Sequence, residues 1–262
     1  MWQLDPQGAA YHIPAALRLR GALNVPALQQ SFDALLARHH SLRTVFVEHD
    51  GQVLQQLKTC RRELAREAVR LDDCGAAFAS KLAPTQLGLS RHDLRNLPQP
   101  ERMPCALALL EPDIAQPFDL QNGPLLRVSL LQLDEDDHVL VLTLHHIVAD
   151  GWSMGVLVEE FSQLYAGHAQ GNTVELPALP IQYADYALWQ RRWMQAGELE
   201  RQLDWWREQL GSEQPVLELP SDRSRPAQPS QQGARLDFTL QPALAKGLMA
   251  LARPQGVTPF LF

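Results

Sequence analysis

Cysteine is scarce in this chain. Cys60, Cys74 and Cys105 are the only three in 262 residues, and they form no CxxC pair. An odd, scattered set builds no disulfide framework and suits a reducing compartment, so the expected location is the cytoplasm. No apolar run approaches the ~20 residues that a membrane span needs. The opening MWQLDPQG has no basic segment leading into an apolar one, so neither a membrane partner nor a signal peptide is expected. Positive charge is also short: 23 Lys and Arg stand against 30 Asp and Glu, a net charge of −7, which argues against a general nucleic-acid binder. With 15 Gly and 19 Pro the chain is neither collagen-like nor broadly disordered. No internal period of about 20–50 residues marks a repeat array. What is present is ordinary soluble composition, 45% hydrophobic and 20% charged, enough to bury a core in one large or two small domains.

Residues 11–19 alternate, with Tyr11, Ile13, Ala15, Leu17 and Leu19 on one face, which predicts a strand. Asn24 can cap a helix over 25–39 whose apolar positions are Val25, Leu28, Phe32 and Leu35. A short strand over 42–47 should turn at Asp50-Gly51. Arg61, Arg62, Glu63, Arg66 and Glu67 suggest a solvated helix surface, 84–104 a loop and 105–110 a short strand. Leu125–Leu133 and His138–Leu144 flank an acidic turn and read as an antiparallel hairpin. Helices are expected over 154–166, 182–194 and 198–210 and from Pro242 onward, with a further alternating stretch at 234–240. The domain boundary falls near 174/175, separating residues 1–174 from 175–262.

The sharpest feature is LHHIVADGWS, Leu144–Ser153. Strand period sends Val139, Val141, Thr143 and His145 to one face and Leu140, Leu142, Leu144 and His146 to the other. One histidine should therefore reach a cavity at the strand end while its neighbour is held by packing or a backbone hydrogen bond. Asp150-Gly151 makes a turn, and Ser153 can cap the next helix. An imidazole and a carboxylate then share the strand's mouth, and imidazole suits proton transfer near neutrality. The same residues would also fit a buried structural histidine pair followed by an Asx turn. A metal site is not expected, because adjacent strand histidines cannot easily share one ion. HExxH, phosphate-binding glycine loops and a GxSxG elbow are absent.

Two further segments stand out. RHHSLRTVF, Arg38–Phe46, ends a helix in positive charge and carries Arg43 into a strand, where it needs a carboxylate or solvent. YADYALWQRRW, Tyr183–Trp193, presents an aromatic face suited to a core or a surface between lobes.

Together with PFDLQNGPLLR (Pro117–Arg127) and LELPSDRSRP (Leu217–Pro226), these segments resemble, in order, the motifs of the condensation domain of nonribosomal peptide synthetases. The HHxxxDG core alone would also fit epimerization domains and other acyltransferases. The resemblance implies an α/β fold of α+β sandwich lobes like chloramphenicol acetyltransferase, two of them forming a V. It implies peptide-bond formation between thioesters delivered on the phosphopantetheine arms of an upstream donor and a downstream acceptor carrier protein, beside an adenylation domain, with no cofactor bound directly. By the same resemblance His146 is the catalytic or positioning histidine and His145 its structural neighbour. Asp150 is paired with an arginine, Arg43 rather than Arg38, and Gly151 leaves room near the reacting thioester.

The family's opening motif is missing, the stretch 55–104 departs from the usual text, and the second lobe is only begun. The chain therefore reads as truncated at both ends, one lobe plus the start of another, and is expected to be catalytically incompetent alone. A docking domain without activity is the alternative, and an epimerization domain a further one.

Overall fold

The computed structural model describes residues 8–49, 51–58, 87–213, 220, 222–224, 234 and 236–258. The charged stretch at 61–67 lies outside them. The chain divides into two compact units, 1–214 and 215–262; the sequence boundary at 174/175 falls inside the first.

The first unit is built on a hairpin of β5 (Leu126–Asp134) and β6 (Asp137–His145). Both faces of this hairpin are apolar, so both must be covered. β1 (His12–Arg20) pairs antiparallel with β6, and β4 (Leu89–Asp93) pairs parallel with β5, giving the order β1-β6-β5-β4. On one face Leu126, Val128, Leu130, Leu140, Leu142 and Leu144 meet α1 (Val25–Arg38) and α3 (Gly151–Ala169). The helices contribute Leu28, Phe32 and Leu35 from α1 and Leu157 and Leu164 from α3, the spacing that places one side of a helix on a core. On the other face Leu131, Leu133, Val139 and Val141 meet Ala106 and Leu110 of α2 (Gln99–Ala115). The strand period thus divides β6 cleanly: even-numbered positions face α1 and α3, odd-numbered ones face α2.

A separate ribbon of β2 (Thr44–His49) and β3 (Gln52–Leu57) turns at Gly51, whose positive φ suits a tight reversal. A 3₁₀ turn, His40–Arg43, joins α1 to it. Helices α4 (Tyr183–Trp193) and α5 (Leu199–Leu210) are joined by a π turn that bends at Gly197, φ 106°.

Three expectations change. The strand expected at 105–110 is the middle of α2, which keeps Pro104 and Pro112 inside it. Each proline removes one helical hydrogen bond, and burial of Ala106 and Leu110, four residues apart, outweighs that loss. The loop expected at 84–104 contains β4 and the start of α2. Residues 236–241 form no strand despite their alternation, because among the described residues no neighbouring strand pairs with them. In the second unit α6 (Pro242–Ala252) closes with a 3₁₀ turn, Arg253–Gln255, and Gly256 in the left-handed region. No helix among the described residues is long and apolar enough to cross a membrane.

Candidate functional site

The site forms where β6 runs out. The His145 N–H donates to the Leu125 carbonyl at 3.1 Å, and the His146 N–H donates to the Tyr11 carbonyl at 2.7 Å. The chain then winds back on itself: the Val148 N–H donates to the His145 carbonyl at 3.1 Å, and the Ile147 N–H donates to His145 Nδ1 at 3.0 Å. A backbone N–H can only donate, so Nδ1 of His145 carries no proton and the neutral ring is protonated at Nε2.

His145 is 7% exposed and sits on the α2 face among Tyr11, His12 and Phe118, with ring centroids 5.9–6.3 Å away. Burial, reinforced by His12 and His146, pushes its pKa down to about 4. This imidazole is a neutral structural element that shapes the turn. His146 is exposed and lines a cavity of about 210 Å³. Ser41, Thr44, Gln55 and Tyr183 give that cavity hydroxyl and amide groups, and Phe46 and Val148 give it apolar wall. A neighbouring hollow of about 170 Å³ shares Ser41, Val148 and Ala149 and adds Leu42, Trp152 and Leu157. Which ring the strand end exposes, left open by the strand period, is thereby shown. His145 packs, and His146 meets solvent and the cavity.

Asp150 stands at the same cavity, but its carboxylate is engaged locally. Its Oδ1 accepts from the Ser153 N–H at 2.8 Å and from Ser153 Oγ at 2.7 Å, which makes Asp150 the N-cap of α3. These bonds hold its pKa below the usual carboxylate range. The expected cap, Ser153, is instead the residue being capped. The expected Arg43–Asp150 ion pair is corrected as well, since among the described residues no arginine forms an ion pair with Asp150. Arg43 is buried and donates to the carbonyls of Leu36 at 2.7 Å, Ala37 at 3.1 Å and Lys58 at 3.1 Å. The physical reason is proximity. Arg43 follows the end of α1 by one short turn, where the helix's last carbonyls lack intrahelical partners, and a guanidinium fork satisfies several of them at once.

Gly151 opens α3 without a left-handed backbone, and a Cβ there would meet nothing within 4 Å. Among the described residues, neither backbone conformation nor crowding requires glycine at this position.

Sequence reasoning missed the brace behind the cavity. Glu160 of α3 accepts from Arg38 Nε at 3.0 Å and from His39 Nε2 at 2.6 Å. Gln182 receives the His40 N–H at 3.1 Å and donates to the Arg38 carbonyl at 2.9 Å. The Arg38-His39-His40 cluster is therefore tied down, and with it the turn that carries Ser41 and Thr44 to the cavity. The available signal was the helical phase of Glu160, which lies three residues from Leu157 and four from Leu164, beside the apolar face of α3. His12 was also missed; an alternating strand hides which of its polar residues is partly buried. Among the described residues no three His, Cys, Asp or Glu side chains come together as a metal set.

The family model described as "Condensation domain" matches residues 1–259. The chain is 39% identical over 264 residues to a linear gramicidin synthase of Brevibacillus parabrevis, covering 100% of this chain and 3% of that protein. It is 39% identical over 259 residues to phosphinothricin tripeptide synthetase PhsC of Streptomyces viridochromogenes, covering 99% of this chain and 22% of that protein. Among solved structures, the X-domain from teicoplanin biosynthesis superposes with a TM-score of 0.75 at 28% identity, over 98% of this chain and 51% of that one. The first condensation domain of the calcium-dependent antibiotic synthetase has a TM-score of 0.68 at 22% identity, over 98% and 55%, a likeness of fold. The chain thus spans a small part of the synthetases it matches and about half of these solved domains.

Proposed function

Because this chain belongs to the condensation-domain family, we propose that it carries the histidine side of a peptide-bond-forming site in nonribosomal peptide synthesis, with His146 as the working residue. The observation that carries this reading is the contrast at the end of β6: of two adjacent histidines, one is neutral and packed, and the other is exposed in a polar cavity. In the proposed reaction the α-amine of an acceptor aminoacyl thioester attacks the carbonyl of a donor thioester. The C–N bond forms, the C–S bond breaks, and the proton lost from nitrogen ends on the departing thiol. His146 hydrogen-bonds the attacking nitrogen, steering it and accepting the proton on its way. Asp150 sets the start of α3 and thereby the loop from His146 to Ser153. The open space beside Gly151 suits the approach of a thioester-bearing arm.

The substrates would arrive on phosphopantetheine arms of a donor and an acceptor carrier protein, with an adenylation domain as neighbour, in the cytoplasm. No resident cofactor or metal is assigned a role.

A second reading is a docking domain without chemistry. It is favoured by the likeness to the teicoplanin X-domain, also solved in complex with OxyB, where the TM-score is 0.72 at 29% identity. The two readings separate when the intact protein is mixed with loaded donor and acceptor carriers and the acceptor arm is examined by mass spectrometry. Condensation predicts a dipeptidyl thioester on the acceptor. Carrier binding without that product would favour docking.

A further inference from the structure

His12 lies outside the cavity that holds His146, yet its ring is held on several sides. It opens β1, an edge strand, directly opposite His145. Its Nδ1 lies 2.7 Å from the Ile114 carbonyl in the last turn of α2, and since a carbonyl only accepts, Nδ1 carries the proton. The ring stands edge-on to Phe118 at 5.0 Å and 6.2 Å from the ring of His145. The Arg127 guanidinium lies over the Phe118 ring at 3.9 Å and donates to the carbonyls of Gln116 and Pro117. The other ring nitrogen of His12, Nε2, is buried and has no hydrogen-bond partner among the described residues.

An orphaned polar atom of this kind costs stability, and an apolar ring would fill the same space without that cost. The donor at Nδ1 is what an apolar ring lacks. It fastens the first residue of an edge strand, where fraying is otherwise easiest, to a helix on the covered face of the sheet. One residue earlier, the Tyr11 carbonyl receives the His146 N–H at 2.7 Å.

From this juxtaposition we infer that His12 is a positioning residue for His146: by pinning the start of β1 to the last turn of α2, it fixes the Tyr11 carbonyl from which the His146 backbone hangs. The inference rests on the reading of His146 as the working histidine. The physical stake is large, because displacement of a reacting group by about 1 Å can cost on the order of a hundredfold in rate.

The test uses His12→Phe, which keeps a ring and removes the donor, and His12→Asn, whose amide nitrogen falls near the place of Nδ1. In His12→Phe, hydrogen exchange at the His146 amide should accelerate by about tenfold or more while the core amides of Leu131 and Leu140 stay within about twofold. In the carrier-protein assay kcat should fall about tenfold with KM for the acceptor carrier unchanged, and His12→Asn should restore both readouts to within about threefold. Unchanged exchange at His146 in His12→Phe would overturn the inference. So would equal acceleration of the core amides, an Asn variant no better than Phe, or faster exchange with unaltered kcat. The exchange measurement needs no turnover, so the pinning is decided by exchange whether or not product forms, and product formation by the intact protein decides the condensation reading separately.

Discussion

Burial holds His145 near a pKa of about 4, whereas in an unfolded chain a histidine titrates near 6.5. Between those values the unfolded chain binds more protons than the folded one. The contribution to stability is therefore full above about pH 6.5 and is lost as pH falls toward 4. His138, also lowered by burial, acts with the same sign. The predicted outcome is a melting temperature that drops between pH 6.5 and 4.5, with a smaller drop in His145→Asn. That variant keeps an acceptor for the Ile147 N–H but does not titrate; thermal scans at several pH values check this, and an unchanged slope would contradict it. Asp150 gives a second residue-level expectation. As an N-cap it should tolerate Asn, which caps equally well, whereas Asp150→Ala should lower the melting temperature by about 2–4 °C. A residue whose role was a salt bridge would lose as much with Asn as with Ala. The opposite environments of His145 and His146 were legible in the alternation of β6. The partner of Asp150 was not, because the placement of Arg43 depends on where α1 ends relative to the following turn, a tertiary fact that spacing does not encode.

At the scale of elements, the hairpin of β5 and β6 and the helices α1 and α3 were readable because each has one strong period and clear terminal signals. Helix α2 was not: Pro104 and Pro112 read as breakers, and Cys105–Leu110 reads equally well as strand, so only the core it covers decides the matter. With the family shown, these elements are those of the chloramphenicol-acetyltransferase-like fold. The brace of Arg38, His39 and Glu160 joins the end of α1 to α3 and holds the turn that carries Ser41. Glu160→Leu leaves two half-buried donors without their acceptor and should cost about 2 kcal/mol or more in urea unfolding. Glu160→Gln, which keeps an acceptor, should cost less. Equal losses for the two variants would show that packing of α3, not the brace, accounts for the effect.

For the whole molecule, the described residues that build the two-sided core lie between Leu28 and Leu164 and between Leu94 and Val141, within the first unit. Residues 1–214 alone are therefore expected to unfold cooperatively with a melting temperature close to that of the full chain, as calorimetry can establish. In the proposed chemistry the exposed histidine of the pair, and not the packed one, assists bond formation. The most direct measurement is the single-turnover rate of dipeptidyl thioester formation by the intact protein with loaded donor and acceptor carriers, compared with His146→Ala and His145→Asn. His146→Ala should lose about a hundredfold or more in rate with its melting temperature unchanged, and His145→Asn far less. Turnover by His146→Ala within about threefold of the parent protein would contradict this, because proton transfer and steering by that ring would then contribute almost nothing to the barrier.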